Sequence, residues 1–494
     1  MKLWKNGIFH TMRNRDEIYH KMGTHQGLII GFDDDLSHLS FDEEIDLKGA
    51  HVYPGFVDAH MHILGYGQML SRIMLHGLSK LEVIDLLRES FQNRLLYAEG
   101  YMEQGVTKHD LNLISRTTPI YIRHNDYHSL TVNDAVLNQL HYLSDTGILT
   151  EQIAQQAIDL IPKYSQEELK QILINALSQL YRYGITGGHT DDLYYFNGFK
   201  DTVAVFETVL KEMPFRAHLL IHHLTVNDFE TSKRQWLDQS PYLQLGAVKL
   251  FYDGTVSSKT ALMYHPYQES HSQGIRVNEQ DQLISYIKYA RSLSLTLAIH
   301  VIGDRGLDEL IEILKKYPPK MGQIDRLIHT PYMKKVTIQK LKGMPLSIDI
   351  QPQFLSSDLP WVLNRFSVAP ELMFPWKSLL DTGLTISGSS DAPVEIPNPL
   401  LGMHAAIFRR SKHDGKVYQP EESLSRFEAV KLYSTYAHIQ SMKNNRGYLK
   451  QGYIADMTVS KHDLCEMEES MFFEDQIEMT VIDEHIVYSH THKS

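Results

Sequence analysis

Eight short apolar runs, each followed by a helical segment or a longer excursion, constrain this chain more than any other feature of its sequence. They are VYPGFVDAH (52–60), GITGGHT (184–190), FRAHLLIHH (215–223), LGAVKLFYDG (245–254), LTLAIHVIGD (295–304), DRLIHT (325–330), LSIDIQPQ (346–353) and LTISGSSD (384–391). Strands that alternate with helices make a parallel sheet, because a parallel crossover needs a dozen or more residues and a helix supplies them. Eight such βα units close into an α/β TIM (β/α)8 barrel. Roughly 120 residues separate the first run from the second, far more than one crossover needs. A connection leaving a barrel strand emerges at the C-terminal face, where barrel active sites sit. The segment 66–180 is therefore expected to be a large insertion after strand 1 that serves as a lid or pocket wall.

Both ends of the chain read differently. Residues 1–50 and 446–494 are short strand-like runs with turns, such as GLIIGFDDDL and MTVIDEHIVYS. Neither end has enough residues for a core of its own, so the two are expected to pair into one small β-domain around a barrel domain of 51–445. The charge balance, 48 Lys+Arg against 60 Asp+Glu, gives −12 and argues against nucleic acid or an anionic membrane surface as partner. No run reaches the roughly 18 apolar residues of a membrane helix. The N-terminus has no apolar signal core. The single cysteine, Cys465, excludes an intrachain disulfide and fits a reducing, cytoplasmic compartment. A small-molecule substrate is expected; a homo-oligomer is left open.

The chemistry gathers at the strand ends. On a strand, residues two apart share a face, so Asp58, His60 and His62 line one side of the first run. A histidine pair of this kind is either a metal grip or part of a core or turn. The later runs supply Lys249 inside AVKLF, then His300, His329 and Asp391, each at a strand end. In a barrel those ends converge on one mouth. Lys249 is the most telling, since a lysine amid apolar neighbours cannot easily stay charged and buried. It either snorkels, pairs with a buried acid or is catalytic with a depressed pKa. A neutral amine beside metals can add carbon dioxide, and the resulting carbamate can bridge two cations about 3.5–4 Å apart. A Schiff-base lysine would leave four neighbouring histidines unexplained.

In this order the residues resemble the amidohydrolase superfamily. PGFVDAHMH, VKLFYDGTVSSKTA, AIHVIGDRGLDE, SIDIQPQF, ISGSSDAPV and GYLKQGYIADMTV are similar to its amidohydrolase 3 branch, which includes YtcJ-like proteins and N-substituted formamide deformylases. The resemblance implies a composite β-sandwich built from both termini. It also implies two divalent metals, zinc by ligand type, with manganese, iron or nickel also suited. His60, His62 and Asp391 would hold one, His300 and His329 the other, with carbamylated Lys249 as the bridge. The implied reaction is hydrolysis of a non-peptide, amide-like C–N bond by a metal-activated hydroxide. Asp391 would move the proton, with Lys249 and His329 in the catalytic set. Lactone or phosphotriester hydrolysis on the same binuclear site, or a non-catalytic regulatory role on this scaffold, stand as alternatives. One departure is Ile328, where relatives carry an acid before the sixth-strand histidine. Arg123, His128, Asp304 and Trp361 are weaker candidates for substrate contacts. His189 and Asp191 are read as satisfied within their loop, and the Asp304–Arg305 pair chiefly as a helix start and ion pair.

Overall fold

The computed structural model describes residues 1–102, 105–124 and 129–490. Its central sheet contains β1 (Phe56–Met61), β2 (Ile185–Thr190), β3 (Arg216–His222), β4 (Leu243–Phe251), β5 (Leu297–Val301), β6 (Asp325–His329), β7 (Leu346–Ile350) and β8 (Thr385–Gly388). Neighbours follow in sequence order and every pair from β1 to β8 is parallel. The strands are buried almost end to end, as expected of a parallel sheet covered on both faces. The sheet comes round on itself at its C-terminal rim. There Asp391 N donates to His60 O (2.9 Å) and His62 N to Ala392 O (2.8 Å). The Asp58 carboxylate accepts from Ser390 Oγ (2.6 Å), adding a side-chain tie between the same two segments. This is a TIM barrel.

The run expected as the first barrel strand is two strands. His51–Pro54 joins a six-stranded sheet of His485–Ser489, Ile477–Ile482, Met457–Ser460, His51–Pro54, Ile8–His10 and Ile18–Tyr19, in that spatial order. Only from Phe56 does the chain enter the barrel. The break falls at Pro54–Gly55, where proline has no N–H to continue a ladder. A Cβ on Gly55 would lie 2.4 Å from Thr186 Oγ1, so the chain passes too close to β2 for any side chain. A second sheet, Leu28–Phe32, Met22–His25, Lys2–Lys5 and Glu43–Asp46, packs on the first. Trp4, Phe9, Met22, Ile29 and Val52 from the N-terminal end share one core with Met457, Val459 and Val481 from the C-terminal end. Neither end could bury those side chains alone.

Residues 68–168 form a compact unit of their own, later at its start and earlier at its end than the expected 66–180. It is a mixed sheet, Ile148–Thr150, Ser129–Val132, Ile120–His124, Leu96–Tyr101 and Ile73–Met74 in spatial order. Helices such as Lys80–Ser90 and Glu151–Asp159 accompany it, with apolar clusters of its own. Among the described residues no helix is long and apolar enough to cross a membrane.

At the start of β3, Arg216 is buried against the C-terminal strands. Its Nε and Nη2 donate to the two Asp456 oxygens at 2.8 Å each, and Nη2 also reaches Asp483. Burial alone would push the Asp456 carboxyl up, but the Arg216 guanidinium holds it below its ordinary 3.8. Arg216→Met should leave that carboxylate buried without its guanidinium partner, at a cost of about 3–5 kcal/mol. Because the folded value is depressed, the pair's contribution is full above the unfolded pKa and lost as pH falls through the folded one. Thermal unfolding of both proteins across a pH series should therefore show a wide gap at neutral pH that narrows in acid.

Candidate metal centre

His60 and His62 stand where β1 meets the rim, and their nitrogens turn toward Asp391. His60 Nε2 lies 3.4 Å and His62 Nε2 3.6 Å from Asp391 Oδ1. One ligand atom from each of the three falls within 4.8 Å of the others. Lys249, on β4 and fully buried, places Nζ 3.2 Å from His60 Nε2. The His300 and His329 rings, from β5 and β6, are 4.6 Å apart, and His329 is 5.8 Å from His60. The six residues singled out from the sequence thus meet at one end of the barrel.

The hydrogen bonds of the imidazoles decide which nitrogen is left over. His62 Nδ1–H donates to Asp191 O (3.1 Å), which frees Nε2. His300 Nε2–H donates to Gly254 O (3.1 Å), which frees Nδ1. His329 Nδ1–H donates to Gln351 Oε1 (2.7 Å), which frees Nε2. An outer partner that fixes the tautomer and aims a lone pair inward is the usual support of a metal-ligating histidine. His329 (φ 78°) and Asp391 (φ 55°) also hold left-handed backbone that non-glycine residues rarely adopt. Such strain costs about 1–3 kcal/mol per residue and persists where the surroundings impose it.

Electrostatics point the same way. Burial, with the Lys249 charge beside it, takes His60 well below the ordinary histidine range and His62 to about 4. His300 is likewise lowered to about 4, and His329 falls well below its ordinary value through burial and the adjacent His300. All four are neutral at physiological pH, the form that binds a metal. Burial pushes Asp391 up to about 7 against the pull of Lys249. Burial also lowers Lys249, opposed by Asp191 and Asp391. A desolvated set of neutral imidazoles and strained acids is poorly stable alone and well matched to a divalent cation.

Some residues of this site carried little signal in the sequence. Asp191, expected to be satisfied within its loop, is fully buried with no hydrogen bond to either carboxylate oxygen. Its Oδ2 instead lies 3.7 Å from Lys249 Nζ. Its neighbour Asp192 is the structural one, accepting from Leu64 N (2.9 Å) and Thr190 Oγ1 (2.5 Å). Two consecutive acids look alike until their directions are known. Gln351 takes the orienting role that Ile328 cannot; Ile328 packs with Leu220, Ala247 and Ala298 instead. His189 lays its ring against His218, 4.5 Å away. Asp253, in the FYDG run, organises the rim by accepting from Leu262, Ile302 and Gly303 N–H groups at 2.8–2.9 Å.

The weaker candidates have partners of their own. Asp304 Oδ1 accepts from Tyr264 N and Arg305 N, a loop and helix-start role. Trp361 is half-buried, its Nε1–H donating to Ser357 O and its ring under the Arg365 guanidinium. Arg123 belongs to the 68–168 unit, 4.0 Å from Glu99, at a cavity of about 330 Å³ with Ser129, Glu151 and Gln155. His128 lies outside the described residues.

The profile of the amidohydrolase family matches residues 43–488. YtcJ of Bacillus subtilis (strain 168) is 31% identical to this chain over 526 residues, covering 98% of this chain and 99% of that protein. The N-substituted formamide deformylase of Arthrobacter pascens is 21% identical over 495 residues, covering 91% and 90%. The crystal structure of an uncharacterized metal-dependent hydrolase from Pyrococcus horikoshii OT3 has the same fold. It superposes with a TM-score of 0.83 at 24% identity, over 95% of this chain and 99% of its own. This chain belongs to the amidohydrolase family.

Proposed function

We propose that the protein is a metal-dependent hydrolase that cleaves a non-peptide, amide-like C–N bond of a small molecule. The observation that carries the reading is the convergence of His60, His62, Lys249, His300, His329 and Asp391 on one rim, with a ring nitrogen of His62, His300 and His329 left free by outer hydrogen bonds. His60, His62 and Asp391 would hold one divalent cation, and His300 and His329 a second. Lys249 as carbamate would bridge them. Zinc suits imidazole and oxygen donors best, though such a site also accommodates manganese, iron or nickel. When bound, the cations supply a nucleophile at neutral pH and polarise the scissile carbonyl.

The protein's own groups do the rest. Asp391, whose Oδ1 faces both first-strand imidazoles, is placed to accept a proton and return it to the leaving nitrogen. Gln351 and the Asp191 carbonyl keep His329 and His62 from turning. One observation favours a second reading, a single-metal centre with unmodified Lys249. Asp191 and Asp391 both lie near Nζ and can neutralise an ammonium there.

Metal analysis and intact mass separate the two. In the first reading, metal-loaded protein carries two cations and the added mass of one carbon dioxide on Lys249. Lys249→Ala then loses one metal and most activity, and a short carboxylic acid restores part of both. In the second, one metal is bound and the mass is unmodified. A substrate panel of N-acyl amines, formamides, lactones and phosphotriesters tests the bond assignment; turnover confined to lactones or phosphotriesters sinks it.

His60→Ala and His62→Ala should each take hydrolysis to background and lower metal content, with far-ultraviolet circular dichroism unchanged. Wild-type turnover in either, at equal metal loading, refutes the ligand assignment. Gln351→Ala should weaken metal binding by about 10–100-fold, the usual effect of removing an outer partner. A competition titration with a chelator reads that loss.

A further inference from the structure

We propose that the site takes substrates bearing a flat aromatic group, held against an arc of rings that joins His62 to His300. The inference rests on the metal-hydrolase reading above and adds the substrate class. Tyr194 and Tyr195 follow β2 and are 45% and 48% exposed. Tyr195 meets His62 edge-on, centroids 5.9 Å apart at 75°, and meets Tyr194 and His222 in the same manner at 5.6 and 5.4 Å. Tyr194 stacks on His222 at 4.5 Å and 11°. His222, at the end of β3, lies 5.8 Å from Phe251 at the end of β4, and Phe251 lies 5.6 Å from His300. The chain of rings therefore runs without interruption along consecutive strand ends, from one proposed ligand to another.

Single exposed aromatic residues need no explanation. Tyr195 left open against a ligand imidazole, with Tyr194 open beside it, is different, because that exposed ring surface adjoins a proposed ligand. Tyr195 is already edge-on to three rings, and Tyr194 has one face occupied by His222. A planar guest can extend both geometries, whereas a puckered one cannot. Phe251 also has Lys249 Nζ 4.8 Å from its ring centre, which fixes that ring relative to the reacting centre.

Hydroxamic acids test this directly, since they chelate the metal whichever bond the enzyme hydrolyses. Calorimetric titration of the zinc-loaded full chain should show phenylacetohydroxamic acid binding about tenfold tighter than acetohydroxamic acid. Cyclohexylacetohydroxamic acid, of similar size but not flat, should fall between. In Tyr194→Leu/Tyr195→Leu the phenyl advantage should shrink to about threefold or less while acetohydroxamic acid binds as before; Tyr195→Phe should keep it. Equal binding of phenyl and cyclohexyl compounds, or an advantage intact in the double variant, overturns the aromatic arc and leaves the metal centre standing. If no hydroxamic acid binds, the metal centre fails and the arc with it.

Discussion

The candidate centre depends on the meeting of β1 with the segment after β8. Parallel neighbours from β1 to β8 bring side chains to one rim, but only ring closure puts the first strand beside the last. Asp391 N to His60 O and His62 N to Ala392 O make that closure from backbone groups of the candidate ligands themselves. Asp58 adds its carboxylate to Ser390 N and Oγ. The same bonds that complete the fold therefore set the separation of His60, His62 and Asp391. A barrel that opened at this seam would lose the site before it lost its core.

How much of this is legible in the sequence depends on whether the signal is periodic. The strand-end histidines and Lys249 stand out because each interrupts an apolar run at a predictable place. Direction is not periodic. Asp191 and Asp192 are chemically identical neighbours, yet one caps Leu64 and the other faces Lys249 with no donor. Gln351 is an unremarked amide until the His329 tautomer is known. The split of 52–60 falls at Gly55, where a Cβ would come within 2.4 Å of Thr186, a close approach across 131 positions that no local pattern encodes. The five-stranded sheet of the 68–168 unit, made of short pieces, gives no such signal either. Strands of two to six residues give too few alternations to register a period.

His329 is oriented without an acidic residue before it, because Ile328 holds that position. An acid at that position would be buried on β6, and burying it requires a compensating charge. Ile328 instead completes a small apolar cluster with Leu220, Ala247 and Ala298. The need to orient His329 is met from the next strand by Gln351, whose Nε2 is in turn held by Ser389 Oγ (2.8 Å) and Asp349 O (3.1 Å). A neutral amide orients the ring without adding a negative charge near Asp191, Asp349 and Asp391, which already crowd Lys249.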